Sequence, residues 1–176
     1  MAVGEVSPRA VADLFRTSMR IAPTGVSLIT ARDADGGFHG MAVTSATSLS
    51  MRPPSMLVAV NQSASVHSII SSSHRFCLNL MGEFHGDILE RFSRSDMRTT
   101  RFISEHWREG PGGLPVLRGA LSSHVCSVDA AYDYGTHTIF IGRVDEVFLP
   151  EISVGNLSPL IWLNGSCASL AATCKA

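Results

Sequence analysis

The first periodic stretch opens at Ser7-Pro8, a serine suited to cap a helix followed by proline at the first helical position. Val11, Leu14, Phe15 and Met19 then recur at near-helical spacing, predicting an N-terminal helix over 1–19 whose single apolar stripe packs on a sheet. Pro23-Thr24-Gly25 breaks the helix, and 26–31 reads as a strand. Asp33-Ala34-Asp35-Gly36-Gly37 has the residues of a hairpin turn, from which 40–50 returns as one strand ended by Pro53-Pro54. Met56-Leu57-Val58-Ala59-Val60 is a continuous apolar run, expected to be buried on both faces.

Val66, Ile69 and Ile70 mark a short helix that Ser71-Ser72-Ser73 should end. A strand over 75–80 and a short helix over 87–92 follow, the latter carrying Ile88, Leu89 and Phe92. Residues 94–113 are polar and irregular, with Phe102 and Trp107 as large anchors. Two long strands, 121–132 and 137–147, are joined at Tyr134-Gly135, and a last apolar piece, 159–163, runs into Asn164-Gly165. Many strands, short turns and few helices predict a mainly β fold, a closed or split antiparallel barrel with short flanking helices. No repeat or linker divides the chain, so 1–176 reads as one domain with a core over 20–165 and a tail over 166–176.

Composition narrows the function. The 176 residues are 45% hydrophobic and 16% charged with a formal net charge of -1, which suits a compact globule and neither a nucleic-acid nor an anionic-membrane surface. No apolar run is long enough to span a bilayer and no signal-peptide pattern opens the chain, so a cytoplasmic protein is expected. Only Lys175 among the basic residues is a lysine, which argues against Schiff-base chemistry. Cys77, Cys126, Cys167 and Cys174 form no C-x-x-C pair, Cys174 near the chain end being the candidate exposed thiol, and the histidines have no metal-ligand spacing; no metal site is expected. Neither G-x-G-x-x-G after a strand nor G-x-S-x-G occurs.

Three stretches remain as candidate chemistry. From His39 to Ser50 there is no charged side chain, but five hydroxyls and several small residues. That pattern suits a half-buried barrel strand, and equally a shelf with room for a flat ring and donors at its edge. The loop Asn61-Gln62-Ser63-Ala64-Ser65 leaves a strand and enters a helix, placing backbone N–H groups and two serines where a phosphate can bind or a helix be capped. Together, shelf and cradle match flavin mononucleotide. Tyr134-Gly135-Thr136-His137-Thr138 sets a histidine between two threonines at the mouth of a strand, able to steer a nicotinamide, to donate a proton, or to serve only as a turn residue.

These stretches, with Pro23-Thr24-Gly25-Val26, Phe76-Cys77-Leu78-Asn79-Leu80 and Gly135 through Gly142, resemble the flavin reductase-like family over nearly the whole chain. The resemblance implies a Greek-key FMN-binding split β-barrel, a homodimer with flavin near the subunit boundary. It implies hydride transfer from NADH or NADPH to FMN, or possible FAD, and delivery of reduced flavin to a flavin-dependent monooxygenase. The rival within the family keeps its flavin and reduces a specific electron acceptor, such as a corrin cobalt intermediate. From another class, a flavin- or haem-binding barrel without turnover stays open. By the resemblance Thr44, Ser45, Ala46 and Thr47 line the isoalloxazine with Ser48 beside it. Asn61, Ser63 and Ser65 hold the phosphate end, and His137 stands where the nicotinamide docks. Two departures are visible. Gln62 and Ala64 occupy a loop where relatives carry a basic residue, so Arg91 or Arg94 is expected to supply that charge, and Asn164-Gly165-Ser166-Cys167 replaces a basic or aromatic pair.

Overall fold

The computed structural model describes residues 7–150 and 158–170. Its strands are β1 (Thr24–Gly25), β2 (Ser27–Arg32), β3 (Phe38–Val43), β4 (Thr47–Met51), β5 (Pro54–Asn61), β6 (Arg75–Leu80), β7 (Trp107–Glu109), β8 (Pro115–Leu117), β9 (Ser122–Tyr134), β10 (His137–Phe148), β11 (Ile161–Leu163) and β12 (Ser166–Ala168). Three helices, α1 (Pro8–Arg20), α2 (Ser65–Ser73) and α3 (Gly86–Ser93), flank them.

Seven strands form one antiparallel sheet in the order β3-β2-β6-β9-β10-β5-β4. Its two edge strands are neighbours in the chain, separated by residues 44–46 alone. Laid flat, seven strands would hold those edges about 29 Å apart, six gaps of roughly 4.8 Å. Four Cα steps from Val43 to Thr47 span at most about 14 Å. The sheet therefore curls until its edges approach, which makes the split barrel. The single strand expected over 40–50 is accordingly two strands, one on each edge, and the break falls within the hydroxyl-rich stretch.

Inside the curl, Ile29, Val43, Val58, Val60, Phe76, Leu78, Cys126 and Phe140 pack with Val66 and Ile70 of α2. Outside it, Val26 and Leu28 meet Ile88, Leu89 and Phe92 of α3 with Trp107, Leu117 and Leu160. Successive residues of β2, Leu28 and Ile29, thus enter different cores, as strand alternation requires. Burial on both faces belongs to β2 and β6; in β5 Val58 and Val60 are buried while Met56, Leu57 and Ala59 are half-buried, unlike the expectation for 56–60. The excursion over 94–113 contains short 3-10 turns and β7, which pairs with β8. α2 runs through the three serines and stops at His74, whose φ of 52° turns the chain into β6.

Two expectations about the ends change. Ser7 does cap α1, its hydroxyl accepting from the Ala10 N–H at 3.3 Å. The stripe does not pack on the sheet, however: Val11, Leu14, Phe15 and Met19 are each at least half exposed, because no other described part of the chain lies over them. Arg20 ties the helix end to the Asn164 carbonyl at 3.1 Å. Ser166–Ala168 is β12, paired with β11, where a tail was expected; the rest of that tail, with Cys174 and Lys175, lies outside the described residues, as do Met1 through Val6. No described helix is long and apolar enough to cross a membrane.

Candidate flavin site

Barrel closure brings the predicted residues onto one rim. Residues 44–46 stand outside both edge strands, and the Ser45 hydroxyl bridges the closure by donating to the Ala59 carbonyl at 2.7 Å. Ala59 lies opposite Ile139 in the β5–β10 ladder, and two residues further along the same ladder Asn61 lies opposite His137. At ~3.4 Å per residue, His137 and Asn61 sit roughly 7 Å beyond the Ser45 bridge. Thr44, Ser45, Thr47 and Ser48 are exposed, while Ala46 is half-buried and packs on the inner core.

Thr44 and Ser45 also line a groove of about 780 Å³ with Phe15, Arg16, Met19 and Trp162. A groove of this size falls in the range of small-molecule sites, roughly 300–1,000 Å³. Trp162 also reaches a second cavity of about 180 Å³ lined by Val43, Thr44 and Leu89. The sequence reading did not pick out Trp162. It is a lone aromatic in a three-residue strand, and only the pairing of Thr24 with Trp162 brings it to the groove.

In the loop, Asn61 Oδ1 accepts from both the Ser63 N–H at 2.9 Å and the Ser63 hydroxyl at 2.8 Å, a turn that spends the Asn61 oxygen locally. The cap position of α2 is Ala64, with no side-chain cap bond, and Ser65 is the first helical residue. The serines therefore do not cap the helix, and its first N–H groups stay available to an anion. His137 is exposed at the start of β10, with Nδ1 2.9 Å from the Thr136 hydroxyl, leaving Nε2 for a ligand. Beside it runs an unforeseen chain. Thr138 donates to the Asp133 carboxylate at 2.6 Å, so His67 Nε2, 2.8 Å from the same hydroxyl, is the protonated nitrogen. These bonds fasten α2 to the strand carrying His137.

Arg91 is not brought to the loop. It donates to the Thr100 carbonyl at 3.3 Å and lies 3.9 Å from Asp87, while Arg94 pairs with Glu90 and Asp96. The guanidiniums that share a cavity with Ser65 are those of Arg98 and Arg101. They were passed over because their stretch has no periodicity to place it.

The remaining chemistry is quiet. Burial pushes the Cys77 and Cys126 thiols up to about 12, so neither is a nucleophile at neutral pH. Cys167 is the exposed thiol among the described residues. No group of three or more described His, Cys, Asp or Glu residues could hold a metal ion. Neutral hydroxyls, an open helix start and a ring-lined groove fit a flavin: Thr44 and Ser45 with Trp162 would meet its ring, and the 61–65 loop its phosphate. When bound, the flavin supplies the hydride-accepting chemistry, and these side chains have only to orient two rings.

The fold and site define a flavin-binding split barrel. A family model described as flavin reductase like domain matches residues 19–171, and the chain belongs to that family. Among its relatives is the reductase component of an FADH(2)-dependent resorcinol hydroxylase from Rhizobium sp. (strain MTP-10005), 34% identical over 95% of this chain and 92% of the relative. The NADH-dependent flavin reductase StyB of Pseudomonas fluorescens is 32% identical over 78% of each chain. Among solved structures, the styrene monooxygenase flavin reductase from Pseudomonas putida S12 superposes with a TM-score of 0.80 at 29% identity, covering 91% of this chain and 99% of that one.

Proposed function

We infer that this chain is an NAD(P)H:flavin oxidoreductase that passes hydride from a nicotinamide to FMN or FAD and supplies reduced flavin to a partner flavin-dependent monooxygenase. The observation that carries the reading is the shared rim, where the Ser45 bridge, the uncapped start of α2 and His137 follow one another along a single ladder. Relatives named as reductase components of hydroxylases support the oxygenase partner. The roles are those the rim suggests. Residues 44–48 meet the ring, Asn61, Ser63 and Ser65 the phosphate, and His137 the nicotinamide.

The whole chain acts as one domain and as a cytoplasmic homodimer. The exposed stripe of α1 supports the dimer, since Phe15 and Met19 of that stripe also line the ring groove, which puts the site at the subunit boundary. Free thiols at Cys77, Cys126 and Cys167 agree with a reducing compartment.

The test is anaerobic absorbance of the purified protein, then with NADH or NADPH and added FMN. Bleaching of the flavin band at catalytic protein amounts supports the reductase. Flavin that binds without bleaching by either nucleotide refutes it and leaves a binding barrel. His137→Ala should lower NADH turnover at least tenfold while FMN affinity changes little, in keeping with a loss of about 1.4 kcal/mol or more at the nicotinamide. Unchanged turnover would remove His137 from the site.

A further inference from the structure

Beyond Ser65, on the side away from the ring groove, lies a cavity of about 240 Å³ lined by Phe38, His39, Gly40, Ser65, Arg98, Arg101 and Phe102. Its chemistry is that of an anion site with aromatic walls. Two guanidiniums face it. Arg101 spends its donors on the carbonyls of Arg91, Phe92 and Arg94 at 3.0–3.1 Å, closing the end of α3, and stays a fixed cation. Arg98 is exposed, and among the described residues no carboxylate lies within ion-pair distance of it. Burial, and then the neighbouring Arg98 charge, holds the Arg101 pKa below its ordinary value, so the two cations repel until an anion lies between them.

His39 closes another wall. Its Nε2 is 2.7 Å from Asp33, whose carboxylate can only accept, so Nε2 carries the proton and Nδ1 remains for a ligand. Phe38 and Phe102 meet edge to face at 5.6 Å and offer an apolar surface beside the charges.

The cavity shares Ser65 with the phosphate loop but neither Asn61 nor Ser63, and none of the residues lining the ring groove. A flavin mononucleotide laid from residues 44–48 to the loop ends at Ser65. Whatever occupies the cavity is attached beyond that phosphate. We propose that it takes the adenylate half of a dinucleotide flavin, its phosphate between Arg98 and Arg101 and its sugar and base against Phe38 and Phe102. The enzyme then selects FAD over FMN. This rests on the flavin reading above.

The experiment measures binding without turnover. Quenching of flavin fluorescence is titrated with riboflavin, FMN and FAD for the wild type, Arg98→Gln and Arg98→Glu. An exposed arginine in a short 3-10 turn can be replaced without disturbing the core. The wild type should bind FAD about tenfold more tightly than FMN, and Arg98→Gln should remove most of that gain while leaving FMN over riboflavin intact. Arg98→Glu should reverse the FAD preference. If both variants keep the wild-type FAD-to-FMN ratio, or if FMN loses as much as FAD, the proposal is overturned while the flavin site stands. If the wild type binds none of the three, the flavin reading itself has failed.

Discussion

Asn79 is the polar centre of the barrel, and its removal gives the sharpest energetic prediction. It lies in β6, fully buried. Its Oδ1 accepts from the Leu117 N–H at 2.9 Å and the Ser123 hydroxyl at 2.8 Å. Its Nδ2 donates to the Leu28 carbonyl at 3.2 Å and the Thr30 hydroxyl at 3.3 Å. One amide therefore ties β6 to β2, β8 and β9. Asn79→Ala leaves two buried donors without their acceptor, each costing about 1–3 kcal/mol, so the loss should be about 4 kcal/mol. Against a typical stability of roughly 5–15 kcal/mol this threatens folding. Urea unfolding followed by circular dichroism measures it, with an unchanged slope showing the same two states. Asn79→Asp keeps an acceptor but loses the donor. Burial raises that carboxyl's pKa above its unfolded value of about 3.9, so this variant should be more stable at pH 5 than at pH 7.5. A loss below about 1 kcal/mol in Asn79→Ala would refute the reasoning, since the donors would then have found water or other partners.

Other expectations follow from the same packing. A Cβ at Gly142 would stand 2.8 Å from Phe76 Cε1 and 2.9 Å from Cys126 Cβ, both buried, so Gly142→Ala should cost about 1–3 kcal/mol in the same urea assay. His85 and His124 have pKa values held below 6.5, first by burial. Their contribution is complete above pH 6.5 and is lost as pH falls through 6.5, because the unfolded chain takes up the protons first. Unfolding free energy should therefore drop between pH 7.5 and 5.5, and a flat profile would contradict the burial. Trp162 borders the ring groove while Trp107 is buried with its N–H on the Arg101 carbonyl. FMN should quench tryptophan emission in the wild type, and Trp162→Phe should abolish most of that quenching.

Local chemistry made much of this legible beforehand. The bounds of β6, the long hairpin of β9 and β10, the Ser7 cap and the loop before α2 all follow from patterns a few residues long. The break at 44–46 does not, since no glycine, proline or charge marks it. It is imposed by which strands become the edges of the sheet. Burial of β2 on both faces was hidden by Ser27 and Thr30, whose hydroxyls interrupt the apolar run. Thr30 is tolerated there because it donates to the Pro115 carbonyl at 2.6 Å, a partner 85 residues away. The stripe of α1 was read correctly as apolar and wrongly as packed, because periodicity reports a face and not what covers it.

The position of the candidate site follows from closure itself. A seven-stranded sheet whose edges are consecutive in the chain must have one segment that leaves the ladder to cross between them, here residues 44–46. Backbone groups outside a ladder need other partners, and one is found inside the fold, the Ser45 hydroxyl on Ala59. The rest face the groove walled by Trp162 and Phe15, where a flat ligand with acceptors and donors along its edge can satisfy them. Charged side chains would fill that space, and small hydroxylated ones leave it open. The uncharged run from His39 to Ser50 is therefore explained by the split in the barrel as much as by the ligand. Thr44→Lys tests the distinction: it should leave the urea midpoint nearly unchanged, since Thr44 is exposed, while weakening FMN binding by blocking the groove. A variant that unfolds would assign the run to barrel closure alone, and one that binds FMN normally would move the ring elsewhere.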